Sequence, residues 1–326
     1  MLFPICQVDY RSVGVKASAV AGVVIQAYAY DALGRLTSEF YDGFDGSGNA
    51  LACTEAFAFN KAGNRLRLTH DDRTSGGVGS AGADYTTTST YDKSDRLQTE
   101  AKDVAAGTAD DRFTGYEYGG TLDPGTDQTK KTVHQGLSDQ GTPVVETTSF
   151  AYDVMGRMSQ VSVTAGSTTT TVTYEYDANG FRVGRTQGGV TTVYHVDPAN
   201  HTGYAQVIEE GTDANANRRL DTAEVQKAYT LAADVLTQAT ATQVLRLLAD
   251  AHGSVRAAMD AQVTPTAAAV LQQYAYTAYG QDLDLVANPL TSFRYAGESI
   301  DAATGLSFNR ARWYDPSSGR FGQVDS

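Results

Sequence analysis

Tyr28-Ala-Tyr30-Asp31-Ala-Leu-Gly34-Arg35-Leu36 is a phrase to which the chain keeps returning. It recurs as Phe57-Ala-Phe59-Asn60-Lys-Ala-Gly63-Asn-Arg65-Leu66 and as Tyr91-Asp92-Lys-Ser-Asp95-Arg96-Leu97. Two more copies are Phe150-Ala-Tyr152-Asp153-Val-Met-Gly156-Arg157-Met158 and Tyr174-Glu-Tyr176-Asp177-Ala-Asn-Gly180-Phe-Arg182-Val183. Tyr116-Glu-Tyr118-Gly119 and Tyr274-Ala-Tyr276-Thr277-Ala-Tyr-Gly280 are degraded versions. Adjacent clear copies lie roughly 20 to 35 residues apart, a period typical of repeat arrays. Aromatic-x-aromatic is a period-2 pattern that puts both rings on one face of a strand. The Asp that follows can accept from backbone N–H groups just ahead of it, and a Gly three residues later suits the end of a type I turn. Arg and Leu then open the returning strand.

Each copy therefore predicts a β-hairpin, with Asp31, Gly34, Asn60, Gly63, Asp92, Asp153, Gly156, Asp177 and Gly180 as structural turn residues. Thr- and Val-rich stretches such as Val161–Tyr176 supply the longer arms. A lone hairpin is marginal in water, so the copies are expected to pair edge to edge. The predicted class is mainly β, an array of antiparallel hairpins.

The composition agrees. Among 326 residues there are 19 Tyr, 11 Phe, one Trp and 32 Gly, which suits half-wet pleated sheets and frequent turns. A net charge of −13 argues against nucleic acid and anionic membrane surfaces, both of which select basic patches. No apolar run of about 20 residues exists to span a bilayer as a helix. Cys6 and Cys53 cannot make a disulfide framework, and Met1–Tyr10 has no charged-then-apolar leader.

The last stretch is the most specific. It reads Phe293-Arg-Tyr295-Ala-Gly297-Glu-Ser-Ile-Asp301-Ala-Ala-Thr-Gly305-Leu306-Ser-Phe308-Asn309-Arg310-Ala-Arg312-Trp313-Tyr314-Asp315-Pro316-Ser-Ser-Gly319-Arg320-Phe321. With the phrases before it, this stretch closely resembles the terminal core motif of the YD-repeat (RHS) family, over roughly Tyr28 to Ser326. That family includes bacterial polymorphic-toxin shells, insecticidal toxin-complex C proteins and the animal teneurins. The resemblance implies a curved or spiralling sheet, here a partial shell. It also implies a terminal motif that plugs one end and a C-terminal toxin or effector cargo beyond it. It implies a secreted or cell-surface setting as part of a longer protein. The expected division is a truncated or irregular N-terminal segment over 1–24, hairpins over 25–210, a candidate calcium-loop insertion over 211–226, further hairpins over 227–290, and the core motif over 291–326.

In several family members the terminal motif cuts the chain through aspartates. Asp315 and Asp325 match the two late aspartates, with Arg312 as a charge partner; two close carboxylates can share a proton as acid and base. Asp315 equally opens Asp-Pro-Ser-Ser-Gly, a good turn. A structural plug is the expected role here, and the chain is not expected to be an ordinary enzyme. A display module whose Tyr rings stack on cell-surface glycans, or that binds a surface protein, is the alternative.

A second stretch interrupts the repeats. Counted from Asp213, oxygen-bearing side chains stand at positions 1 (Asp213), 3 (Asn215), 5 (Asn217), 9 (Asp221) and 12 (Glu224), as in a twelve-residue calcium loop. Arg219 would add its backbone carbonyl, and Ca2+ is the expected cation. Arg218 stands at position 6, where such a turn wants Gly. An Asn-rich exposed hairpin tip is the other reading.

Other motifs carry little. Gly77-Val-Gly79-Ser-Ala-Gly82 leads into Thr-rich sequence, not a helix, so it lacks a dinucleotide cradle. Asp42–Asn49 reads as a long hairpin loop. The five His residues show no metal-ligand spacing, and no G-x-S-x-G elbow exists. Propensity favours helix over Ala223–Ala261. The repeat pattern instead predicts strands around the Gly253 turn, with a short helix near Thr222–Ala228.

Overall fold

A computed structural model describes residues 6–9, 25–44, 50–72, 84–105, 108–119, 127–201, 203–231, 235–262, 270–283 and 288–323. The series of turns begins with Asp31. Its Oδ1 accepts from the backbone N–H groups of Leu33 (2.9 Å) and Arg35 (3.0 Å), while its Oδ2 accepts from Arg35 Nε at 2.7 Å. Asp92 repeats this with Ser94, Arg96 and the Arg96 guanidinium, and Asp153 repeats it with Met155, Arg157 and the Arg157 guanidinium. Gly34, Gly156 and Gly180 close their turns with φ of 77°, 74° and 88°, the left-handed region that favours glycine. In the Asp92 copy Asp95 takes that position at φ 60°, which short polar side chains tolerate.

The turn fixes the register. Tyr30 pairs with Leu36, Phe59 with Arg65, Tyr91 with Leu97 and Tyr176 with Arg182, each beside a register shift. The same extra residue thus sits at the same place in copy after copy, a bulge that accompanies a left-handed turn residue. Neighbouring copies are also tied to one another. The Arg35 guanidinium lies 5.3 Å from the Phe59 ring and donates to the Asn60 carbonyl, and Arg157 makes the corresponding contacts with Tyr176 and Asp177.

The chain forms two compact units. One comprises Leu2–Glu117 and Lys130–Thr147. In it Ile25–Tyr30, Leu36–Phe44, Ala50–Phe59, Arg65–Asp72, Tyr85–Tyr91, Leu97–Val104 and Arg112–Tyr118 pair antiparallel in chain order. Cys6–Asp9 adds a parallel strand beside Ile25–Tyr30. Buried Glu39, Glu55, His70 and Glu100 share this unit with Tyr41, Phe57, Leu68 and Leu97. Cys53 is a buried free thiol.

The other unit comprises Tyr118–Thr129 and Thr148–Ser326. Its strands run antiparallel in chain order from Met158–Ala165 and Thr168–Tyr176 to Val255–Asp260 and Val270–Gln273. Two apolar clusters sit on it, one around Val161, Val172 and Tyr174, the other around Leu245, Leu247 and Tyr276. The helix expected near Thr222–Ala228 is a single 3-10 turn, Thr222–Glu224, and the chain then enters the strand Val225–Leu231. Pairing of Val244–Ala249 with Val255–Asp260 across Gly253 overrides the helical propensity of the Ala/Leu-rich stretch. The fold is mainly β and built from antiparallel hairpins, as expected. Residues 1–5, 10–24, 45–49 and 73–83, with the Gly77–Gly82 phrase, lie outside the described residues.

Asp153→Ala removes an acceptor shared by two amides and a guanidinium, and should cost about 1–3 kcal/mol in urea unfolding. Asp153→Asn should cost less, because Asn60 holds the Asn64 amide at 2.9 Å in its own copy with a neutral side chain. Equal losses for the two variants would contradict the amide-acceptor role.

Candidate functional site

The terminal stretch folds into a small antiparallel sheet of its own, Ser299–Ile300, Ser307–Asn309, Arg312–Asp315 and Arg320–Phe321. Two turns shape it. Asp301 accepts from the Ala303 amide through its side chain and from the Gly305 amide through its carbonyl, and Gly305 has φ 72°. Asp315 accepts from the Ser317 amide and hydroxyl, with Gly319 N–H donating to its carbonyl.

Alternation along Arg312–Asp315 sends Trp313 towards the hairpin strands. It is 1% exposed and packs with Met158, Val161, Val172, Tyr174 and Leu306. Its ring lies 4.4 Å from Tyr174 and 5.0 Å from Phe308, and its indole N–H donates to the Tyr176 hydroxyl at 3.3 Å. Gln323 accepts from the Trp313 amide and donates to the Gly156 carbonyl, so the motif also grips a repeat turn. Upstream, Phe293 meets Tyr229 edge to face at 5.0 Å, and Arg294 is buried against Tyr274, Tyr276 and Asp282. Tyr295 covers Gly280, where a Cβ would come within 2.5 Å of its ring.

One ion pair fastens the motif. Arg185, on Arg182–Gln187, donates to both Asp301 oxygens at 2.7 and 2.9 Å, and the Tyr174 hydroxyl adds a bond at 2.8 Å. Burial pushes the Asp301 carboxyl up, but the bonds and charge of Arg185, with Tyr174, outweigh it and hold the group below the usual carboxylate range. Sequence reading passed over Asp301 and Arg185 as a site. They are 116 residues apart, and the only signal was that Asp301 opens an Asp-x-x-x-Gly turn.

Of the three residues that match the family's cutting motif, Asp315 and Arg312 lie among the described residues. Asp315 is part-exposed and shapes its turn, and the Arg312 guanidinium lies 3.8 Å from the Phe321 ring centre. Asp325 lies outside the described residues.

The Asp213–Glu224 loop joins Gln206–Thr212 to Val225–Leu231. Its side chains are drawn together by hydrogen bonds. Asp213 accepts from the Asn217 and Arg218 amides, Asn215 and Asn217 both donate through Nδ2 to Asp221, and Glu224 accepts from the Ala214 and Asp221 amides. The Arg219 amide donates to Asn217. Ala216 and Arg218 both have φ 60°, the strain expected where Arg218 replaces Gly. Among the described residues no group of three or more His, Cys, Asp or Glu is placed to hold a metal ion.

Asp301→Asn should destabilise the chain by about 3 kcal/mol at neutral pH, the scale for breaking a buried pair. Because the folded carboxyl is held low, its contribution is complete above the ordinary Asp range and is lost as pH falls through the lower folded value. The gap between wild type and variant, followed by urea unfolding from pH 7 downwards, should therefore narrow only below about pH 4. A gap that vanishes already at pH 6 would contradict this.

No family model matches the chain. It is 30% identical over 158 residues to the tRNA3(Ser)-specific nuclease WapA of Bacillus spizizenii and to the tRNA(Glu)-specific nuclease WapA of Bacillus subtilis subsp. natto. Each match covers 47% of this chain but only 6% of the relative's length. In structure it is similar to a chain of the crystal structure of TcdB2-TccC3 without hypervariable C-terminal region, with a TM-score of 0.55 and 15% identity. That likeness covers 93% of this chain and 16% of the other, and it shows the fold. The recurring phrases, the hairpin array they build and these likenesses support the resemblance to the YD-repeat (RHS) family.

Proposed function

We propose that this chain is the wall and terminal piece of an RHS-type shell, which encloses or presents a toxin or effector carried by the longer protein. The observation that carries the reading is the seating of Trp313 in the Met158–Tyr174 cluster. It makes the terminal motif part of the wall, a fixed point from which a following polypeptide would be held. The relatives named as tRNA nucleases, and the solved TcdB2-TccC3 structure whose name records a hypervariable C-terminal region, fit a role beside a variable cargo. The chain's own part is structural, in a secreted or cell-surface protein. Among the described residues no helix is long and apolar enough to cross a membrane.

In the longer protein, the polypeptide that follows Ser326 is expected to resist trypsin while the wall is intact. Trp313→Ala, at a cost of about 3–5 kcal/mol, should expose it. Cargo digested equally fast in both proteins would count against enclosure, and glycan-array binding by the wall would favour surface display instead.

The same reading leaves room for Ca2+ at Asp213–Glu224, where an ion would displace the Asn–Asp221 bonds. Calorimetry on EDTA-treated protein is expected to show a saturable heat that Glu224→Gln removes. No heat at millimolar Ca2+ would end the proposal.

A further inference from the structure

Arg182 is out of line with the other turn arginines. In the Asp31, Asp92 and Asp153 copies the arginine directly follows the closing position and is bonded to its own Asp. In the Asp177 copy Phe181 takes that slot, so the arginine is displaced by one residue and, by strand alternation, turns to the opposite face. There Arg182 is 5% exposed. Four rings surround its guanidinium carbon: Phe308 at 4.0 Å, Tyr194 at 4.8 Å, Trp313 at 5.2 Å and Tyr174 at 6.0 Å. Two rings belong to the hairpin strands and two to the terminal motif.

Rings answer the charge but not the hydrogen bonds. A guanidinium has five N–H donors in a fixed fork, and ring faces accept them poorly. Arg182 Nε is buried without an acceptor, and among the described residues no carboxylate forms an ion pair with this side chain. Arg185, three residues on, is the arginine that takes Asp301. A buried guanidinium N–H left without an acceptor is costly.

The repeat itself shows what such an arginine takes. In the Asn60 copy Asn64 fills the slot after Gly63, and Arg65 is displaced in the same way. Arg65 is also buried, and it faces the Glu100 carboxylate at 3.6 Å.

We infer that Arg182, boxed by Tyr174, Tyr194, Phe308 and Trp313, is a binding site for a carboxylate-type anion. The anion takes the place at Arg182 that Glu100 takes at Arg65. It is either a small carboxylate from solution or a carboxylate side chain of another polypeptide segment. Because two of the four rings come from the terminal motif, occupancy would also hold that motif to the wall. The inference does not depend on the shell reading.

Thermal unfolding of the whole chain tests it, with acetate replacing a bulky sulfonate buffer anion at constant ionic strength. The melting temperature should rise saturably by about 2 °C or more, as expected when a ligand binds only the folded state. Arg182→Met should lose the response, and Arg182→Lys should keep a weakened one. If wild type melts indifferently to acetate, a solution carboxylate is excluded. The side-chain source is then read from crystals soaked in bromide, where an anomalous peak beside the guanidinium supports an anion site and its absence overturns the proposal. An equal acetate response in Arg182→Met would overturn it too. Should that variant fail to fold, the Lys variant and the bromide peak decide the matter.

Discussion

A single carboxylate oxygen, shared between two backbone amides two and four residues ahead, decides where each hairpin of this protein turns. Once Asp31 or Asp92 has fixed the turn, the left-handed closing residue follows, and then the bulge that pairs the copy's last aromatic six residues on. The arginine after the turn works twice: it neutralises its own Asp and reaches the next copy through a ring and a carbonyl. Local geometry is thereby linked to propagation, and a hairpin that would be marginal alone becomes one step of a sheet.

The terminal motif reuses the same device for another end. Asp301 shapes a turn as the repeat aspartates do, but its carboxylate is turned to Arg185 on the hairpin strands rather than to an arginine beside it. Trp313 and Leu306 then bury against the hairpin arms, so the last part of the chain adds a cap of apolar surface to the strands beneath it.

Much of this was legible in the sequence, because the information is local. The period-2 aromatics, the Asp and the Gly lie within nine residues of one another, and so a short phrase specifies turn, register and face together. Propensity misleads where neighbours decide: Val244–Ala249 reads as helix by composition and is a strand because Val255–Asp260 lies beside it. The site was less legible. Asp315 matched the cutting motif's aspartates and equally opened a good turn, and it shapes that turn, whereas Asp301 acquires its importance from Arg185, far away in the chain. Arg182 differs from the other turn arginines by an offset of one residue, a small signal in sequence that reverses the face in a strand.

The central claim is that the terminal motif and the hairpin strands beneath it form one cooperative structure. Hydrogen exchange under native conditions measures this directly. The account predicts that the amides of Ser307–Asn309 and Arg312–Asp315 exchange as slowly as those of Met158–Ala165 and Thr168–Tyr176. Rapid exchange throughout the terminal strands, with the hairpin strands still protected, would contradict it.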